Sequence, residues 1–157
     1  EILNKTREIL ITKFEKGEGG IRDGMDISLA VIDKKERTIQ WAGANNPLWI
    51  VRKGQDMVQE IKGDKQPIGK YPSSKPFTSH ELKYEEGDVI YLLTDGFPDQ
   101  FGGDKGKKYK SINLKQFLVN IVDSEMHVQP YKLKKEFAHW KRELEQIDDV
   151  CIIGVRF

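Results

Sequence analysis

Hydrophobic residues in this chain recur in two rhythms. Over residues 1–15, Ile2, Leu3, Ile9, Leu10 and Phe14 stand at mostly helical spacing with charges between them, which predicts an amphipathic helix. Lys16 to Gly20 then end it with flexible backbone. From Met25 the period becomes two. Ile27, Leu29 and Val31 alternate with smaller or polar residues, Asp33 to Glu36 turn the chain, and Thr38 to Ala42 alternate again, which predicts a hairpin. Gly43 to Pro47 break the pattern and Leu48 to Arg52 resume it. Lys53 to Asp56 turn the chain, and Met57 to Ile61 form another strand. An antiparallel meander with short loops is the expectation.

A long Pro/Gly/Ser/Lys loop from Gly63 to Pro76 separates this meander from a further alternating run, Phe77 to Leu82. Val89 to Thr94 then reads as a buried strand, rich in β-branched and aromatic residues. Two helices follow a glycine-rich loop. Asn113 is placed to cap the first, which carries Leu114, Phe117, Leu118, Ile121 and Val122; Pro130 fits the first turn of the second, which carries Leu133, Phe137, Trp140 and Leu144. Val150 to Val155 is a terminal apolar strand, expected to be buried. Strands and helices segregate along the chain, so the fold class is α+β, in a single domain without repeat or internal boundary.

Composition changes this picture little, and mainly by exclusion. The 157 residues carry a net charge of +1, with 32% charged and 38% hydrophobic residues, and suffice for one well-packed domain. Near-neutrality gives no support to a nucleic-acid or membrane-surface role. A local basic run, Lys105, Lys107, Lys108 and Lys110, interrupts the glycine-rich loop; it reads as solvated surface that can also meet an anionic substrate. The single cysteine, Cys151, fits an interior strand position as a small hydrophobe, and a reducing, cytoplasmic compartment is expected. No window has the length of a transmembrane helix.

The chemistry concentrates at Gly87 to Gly103. Here the Val89–Thr94 strand ends on Asp95-Gly96, and the loop beyond holds Asp99, Gly102 and Gly103. Asp148 and Asp149 stand at the entrance of the terminal strand. If the two strands are antiparallel neighbours, Asp95 and the Asp148-Asp149 pair share one sheet edge. Clustered carboxylates repel unless a cation lies between them, and oxygen-only donors favour Mg²⁺ or Mn²⁺ over zinc. The residues alone leave a plainer alternative open, in which Asp95-Gly96 starts a turn and Asp148-Asp149 caps the second helix. His80, His127 and His139 show no zinc spacing, and no nucleophile-elbow or nucleotide-loop motif is present.

Taken in order, Asp23-Gly24-Met25-Asp26, Ala42 to Leu48, Pro67-Ile68-Gly69, Gly87-Asp88, Thr94-Asp95-Gly96 and Asp148-Asp149-Val150 resemble the SpoIIE/RsbU family of metal-dependent serine phosphatases. The resemblance runs from about Gly20 to Phe157. It implies an α-β-β-α sandwich of the metal-dependent Ser/Thr phosphatase type, with two Mn²⁺ or Mg²⁺ ions at one edge and a metal-activated water attacking a phosphoserine. Asp95 matches the family's metal-binding Asp and Asp148 the ligand in the C-terminal acidic pair, with Asp149 beside it. Gly96, Asp99, Asn45 and Asn46 fall in the substrate and flap positions, with the Gly102-Gly103 loop expected to act as a mobile flap. Where relatives have a Gly-His-Asn-Pro-like segment, this chain has Ala44-Asn45 and no histidine.

One family motif is missing. Nothing before Asp23 resembles the upstream G-D-x-x-G-H-G segment whose Asp bridges both metals. The chain is therefore expected to be the C-terminal two-thirds of a phosphatase domain lacking its N-terminal strands, weak or inactive alone, with an exposed sheet edge that favours homodimers. The resemblance implies a phosphorylated protein substrate of the anti-sigma-factor-antagonist type and an upstream sensor or regulatory domain in the parent chain. It implies no nucleic acid and no membrane contact. The competing reading is a non-catalytic interaction module on a degenerate phosphatase fold.

Overall fold

The computed structural model describes residues 1–15 and 24–157. The expected helix terminator at Lys16 to Gly20, and Asp23, lie outside them. The chain divides into two compact units, Glu1–Leu48 with Ile61–Tyr84 and Trp49–Glu60 with Glu85–Phe157.

In the first unit, the helical rhythm of the opening residues becomes α1 (Ile2–Glu15). Its Leu3 is buried with Ala44, Ile68 and Phe77, and Leu10, Ile27, Leu29 and Ala42 pack around them. The period-two runs form the expected hairpin of β1 (Ile27–Asp33) and β2 (Thr38–Ala44), in register from Ile27 opposite Ala44 to Asp33 opposite Thr38. Asp33 shapes the turn by accepting the backbone N–H groups of Lys35 and Glu36. Trp41 is buried and its indole N–H donates to Ser28 Oγ at 2.8 Å, so the one polar atom of a large apolar side chain is satisfied across the hairpin.

The meander does not continue. After β2 come β3 (Leu48–Val51) and β4 (Val58–Ile61), but β2 pairs with β5 (His80–Lys83), giving a sheet ordered β1-β2-β5. Strand β3 instead belongs to a second sheet, ordered β4-β3-β6-β9, with β6 at Val89–Leu93 and β9 at Ile152–Arg156. Gly43 to Pro47 is thus a change of sheet rather than a turn within one. Alternation reports which face of a strand is buried, not which sheet the strand joins, so the sequence pattern could not separate the two.

In the second unit, β6 is followed by a one-turn helix α2 (Gly96–Asp99), a two-residue hairpin β7 (Phe101–Gly102) and β8 (Lys107–Lys108), then α3 (Ser111–Ile121) and α4 (Gln129–Lys141). The core joins Trp49, Val51, Val89, Tyr91 and Leu93 from the sheet to Leu114, Leu118 and Ile121 of α3 and Phe97 of α2. Each fully buried side chain of this size contributes about 1.5–3 kcal/mol. Pro130 does stand in the first turn of α4.

Three local expectations are corrected. Asn113 is not the cap of α3: the helix starts two residues earlier, and Asn113 Nδ2 donates back to the Tyr109 carbonyl. Leu144 lies beyond the end of α4 and is exposed. The terminal strand is not buried either. Among the described residues β9 is a sheet edge paired with β6 alone, Ile153 is 53% exposed and Cys151, just before the strand, is exposed. Its apolar run serves one face, where Val150 and Ile152 pack against the core of the second unit, instead of two.

Candidate functional site

β6 and β9 are antiparallel neighbours, in register from Val89 opposite Arg156 to Leu93 opposite Ile152. The exit of β6 and the entrance of β9 therefore lie at the same sheet end, which is the condition the sequence argument required. Past Leu93 the backbone ladder would stop, but Thr94 extends it. Its N–H donates to the Cys151 carbonyl at 3.0 Å; its hydroxyl accepts the Cys151 N–H at 3.0 Å and donates to the Asp149 carbonyl at 2.9 Å. One side chain thus fixes the segment before β9 against the segment after β6.

Gly96 completes the approach. A Cβ at this position would collide with the carbonyl oxygen of Asp149 and crowd that of Asp148, so only glycine lets the two backbones come this close. The Asp149 carbonyl accepts the Thr94 hydroxyl, the Asp95 carbonyl accepts the Asp99 N–H, and Asp95, Asp148 and Asp149 are all exposed residues. Asp95 precedes α2, yet its carboxylate makes no capping bond to that helix. Asp148 does not cap α4: its Oδ1 accepts the N–H of Asp149 at 2.7 Å. The end of α4 is served instead by Lys141 Nζ, which donates to the carbonyls of Arg142 and Leu144. Of the plainer alternative, the turn after Asp95 is present and the helix cap is not.

The other expected residues fall in two places. Asp99 ends α2, and its carboxylate is paired with Lys108 of β8 at 2.8 Å. The glycine-rich loop beyond it is a docked hairpin. Gly103 N–H donates to the Trp140 carbonyl at 2.9 Å, and a Cβ on Gly102 would collide with that same carbonyl. Asn45 and Asn46 lie in the first unit, on the turn after β2. Asn45 adopts a φ of 59° and its amide donates to Asp26 Oδ1 at 2.7 Å. Asn46 is buried, with its N–H on the Ala44 carbonyl.

Thr94 is the residue whose role the sequence reading missed. Its signal was the position itself: a hydroxyl directly after an apolar strand and before Asp-Gly, where a side chain can stand in for a missing ladder partner. As a cation site, the sheet end has the right donor chemistry, since carboxylate and carbonyl oxygens suit a hard divalent ion. The donor count is incomplete: among the described residues no group of three or more His, Cys, Asp or Glu is placed to hold a metal.

The family model for stage II sporulation protein E, SpoIIE, matches residues 1–157, the whole chain. The chain belongs to the SpoIIE family. Solved structures share the fold. The SiaA-PP2C domain of Pseudomonas aeruginosa superposes with a TM-score of 0.76 at 24% identity, over 99% of this chain and 68% of that one. The phosphatase domain of the cell fate determinant SpoIIE from Bacillus subtilis gives 0.64 at 15% identity, over 99% and 71%. The RsbU and RsbW domains of a Mycobacterium tuberculosis protein give 0.69 at 14% identity, over 99% and 46%. No curated protein sequence matches the chain. The α+β fold of this SpoIIE-family chain is that of PP2C-type serine phosphatase domains. No described helix is long and apolar enough to cross a membrane.

Proposed function

We propose that this SpoIIE-family chain is the catalytic part of a protein serine/threonine phosphatase that serves as a signalling output. The observation that carries the reading is the juxtaposition at one sheet end. The Thr94 hydroxyl and the bare Gly96 draw the Asp95 segment onto the Asp148-Asp149 segment. A strand pair needs no carboxylates there, and all three aspartates are exposed at that sheet end, where a cation can reach them.

Asp95 and Asp148 would hold divalent metal, with Asp149 alongside, and the donor set suits Mn²⁺ or Mg²⁺. Bound divalent ions supply an activated water and neutralise charge on the phosphoryl group. The chain's own contribution is positional. Thr94 fixes the distance between the two acidic segments, Gly96 removes the side chain that would part them, and α2 carries the backbone away from the sheet end directly after Asp95.

The substrate proposed is a phosphoserine on a signalling protein of the anti-sigma-factor-antagonist type. Solved relatives include a SpoIIE phosphatase domain with a fragment of its regulatory domain, and linked RsbU and RsbW domains, which supports a regulatory domain in the parent of this chain. The test is turnover of a phosphoserine peptide by the intact protein with Mn²⁺, with Asp95→Asn as control. Turnover that persists unchanged in the variant contradicts the assignment. The incomplete donor count among the described residues favours a second reading, a non-catalytic module on the same fold. Metal-dependent turnover excludes it.

A further inference from the structure

Four lysines, Lys105, Lys107, Lys108 and Lys110, lie on the β7–β8 hairpin and the link to α3. The hairpin is rigidly mounted. Tyr109 is buried, its ring edge-on to Phe97 and Trp140 at 5.0 and 5.1 Å, and its N–H donates to the Gln100 carbonyl at 2.9 Å. Lys110 N–H donates to the Pro98 carbonyl at 2.7 Å. These bonds tie the hairpin to α2, the turn that follows Asp95.

The charges divide into two kinds. Lys108 is spent on Asp99, and the neighbouring Arg142 on Asp104 at 2.6 Å. Lys105, Lys107 and Lys110 are exposed, and among the described residues no carboxylate pairs with them. Lys110 is also locally unfavourable twice over. Its φ is 73°, where a side chain is strained, and it places a cation at the start of α3, a helix with no acidic residue in its first turn. Violations of local rules gather where function requires them.

We infer that this hairpin is a docking element for the protein substrate, recognising an acidic segment that flanks the phosphoserine; this rests on the phosphatase reading above. Lys105, Lys107 and Lys110 supply long-range attraction from a rigid mount beside the Asp95 turn. The Lys108–Asp99 pair keeps the mount in register. Such contacts act on encounter and specificity more than on chemistry.

The test compares two short synthetic phosphoserine peptides, one with Asp/Glu flanks and one with neutral flanks, binding to the intact protein by fluorescence anisotropy. Lys105→Glu/Lys107→Glu is expected to weaken the acidic peptide about tenfold and the neutral one little. Added salt should erase the difference. Lys110→Gly removes the third charge where glycine is the unstrained residue, so the fold is kept, and it should weaken the acidic peptide selectively as well. Hydrolysis of para-nitrophenyl phosphate, too small to reach the hairpin, should be unchanged in both variants. Equal binding of the two peptides to the wild type, or a loss shared equally by both, overturns the proposal. Selective binding without turnover of any phosphate ester leaves the docking element standing and sinks the phosphatase reading instead.

Discussion

Strand β6 carries a carboxylate just outside each end, and the two have opposite fates. Asp88, before the strand, is buried at 2% exposure. It accepts Arg52 Nη1 at 2.7 Å, the Lys53 N–H at 3.0 Å and the Glu85 N–H at 3.0 Å. There the ladder to β9 closes with two backbone bonds, Gly87 N–H to the Phe157 carbonyl and Phe157 N–H to the Asp88 carbonyl. Asp95, after the strand, is exposed and does not cap α2, and the ladder there closes through the Thr94 hydroxyl. A buried carboxylate that accepts three bonds from the fold is a structural fastener. An exposed aspartate, on a backbone segment drawn against that of two more, is placed where a cation can reach it.

The comparison is sharpened most by exchanging the two roles. Asp95→Asn should lower phosphoserine turnover by about a thousandfold, roughly 4 kcal/mol in the barrier, while the melting temperature barely moves. Asp88→Ala should do the reverse. It removes the acceptor shared by Arg52 and two backbone N–H groups, and should cost about 2–4 kcal/mol in urea unfolding, the range allowing for a partly exposed guanidinium. A melt in which Asp95→Asn proves the more destabilising would break the distinction.

Acid should find Asp88 as well. Burial raises its pKa, but the N–H bonds from Glu85 and Lys53 and the Arg52 charge outweigh it, leaving the carboxyl below its ordinary value of 3.8. A depressed folded-state pKa means stability that is present above the unfolded value and lost as pH falls through the folded one. Wild-type stability should therefore drop below about pH 4 by an amount that Asp88→Asn lacks. At the alkaline end, Tyr91 is pushed up to about 12 by burial, with its hydroxyl on Gln129. The unfolded tyrosine ionises first, so stability should fall between about pH 10 and 12, and Tyr91→Phe should flatten that limb.

The smallest expected effect lies in the joint between the segments. Thr94→Val removes the hydroxyl that both accepts and donates, and should cost about 1–2 kcal/mol with an accompanying loss of turnover. Thr94→Ser keeps the hydroxyl and should retain most of both. If Val and Ser variants behave alike, the hydroxyl clip is not what holds the acidic segments together.

Much of this was legible in the residues. The apolar runs ending at Thr94 and beginning at Val150 predicted both strands, and their antiparallel pairing brings Asp95 and Asp148-Asp149 to one edge as the motif order implied. What failed to show was long-range. The docking of Gly102 and Gly103 on Trp140 depends on a helix some forty positions away, so a glycine pair read locally looked like a free flap. Cys151 looked interior because its run is apolar, but whether a strand is central or at an edge is decided by its neighbours, not by its own sequence. Thr94 was hidden for the same reason, since its role exists only once β9 is its partner.

The central claim is that Asp95 and Asp148 act as one cation site. Calorimetric titration of Mn²⁺ into the intact protein, Asp95→Asn, Asp148→Asn and the double variant tests it directly. Each single variant should weaken Mn²⁺ binding about tenfold or more, and the double should lose little beyond the worse single, because both remove the same site. Unchanged Mn²⁺ affinity in Asp95→Asn, or losses that simply add, would contradict the account.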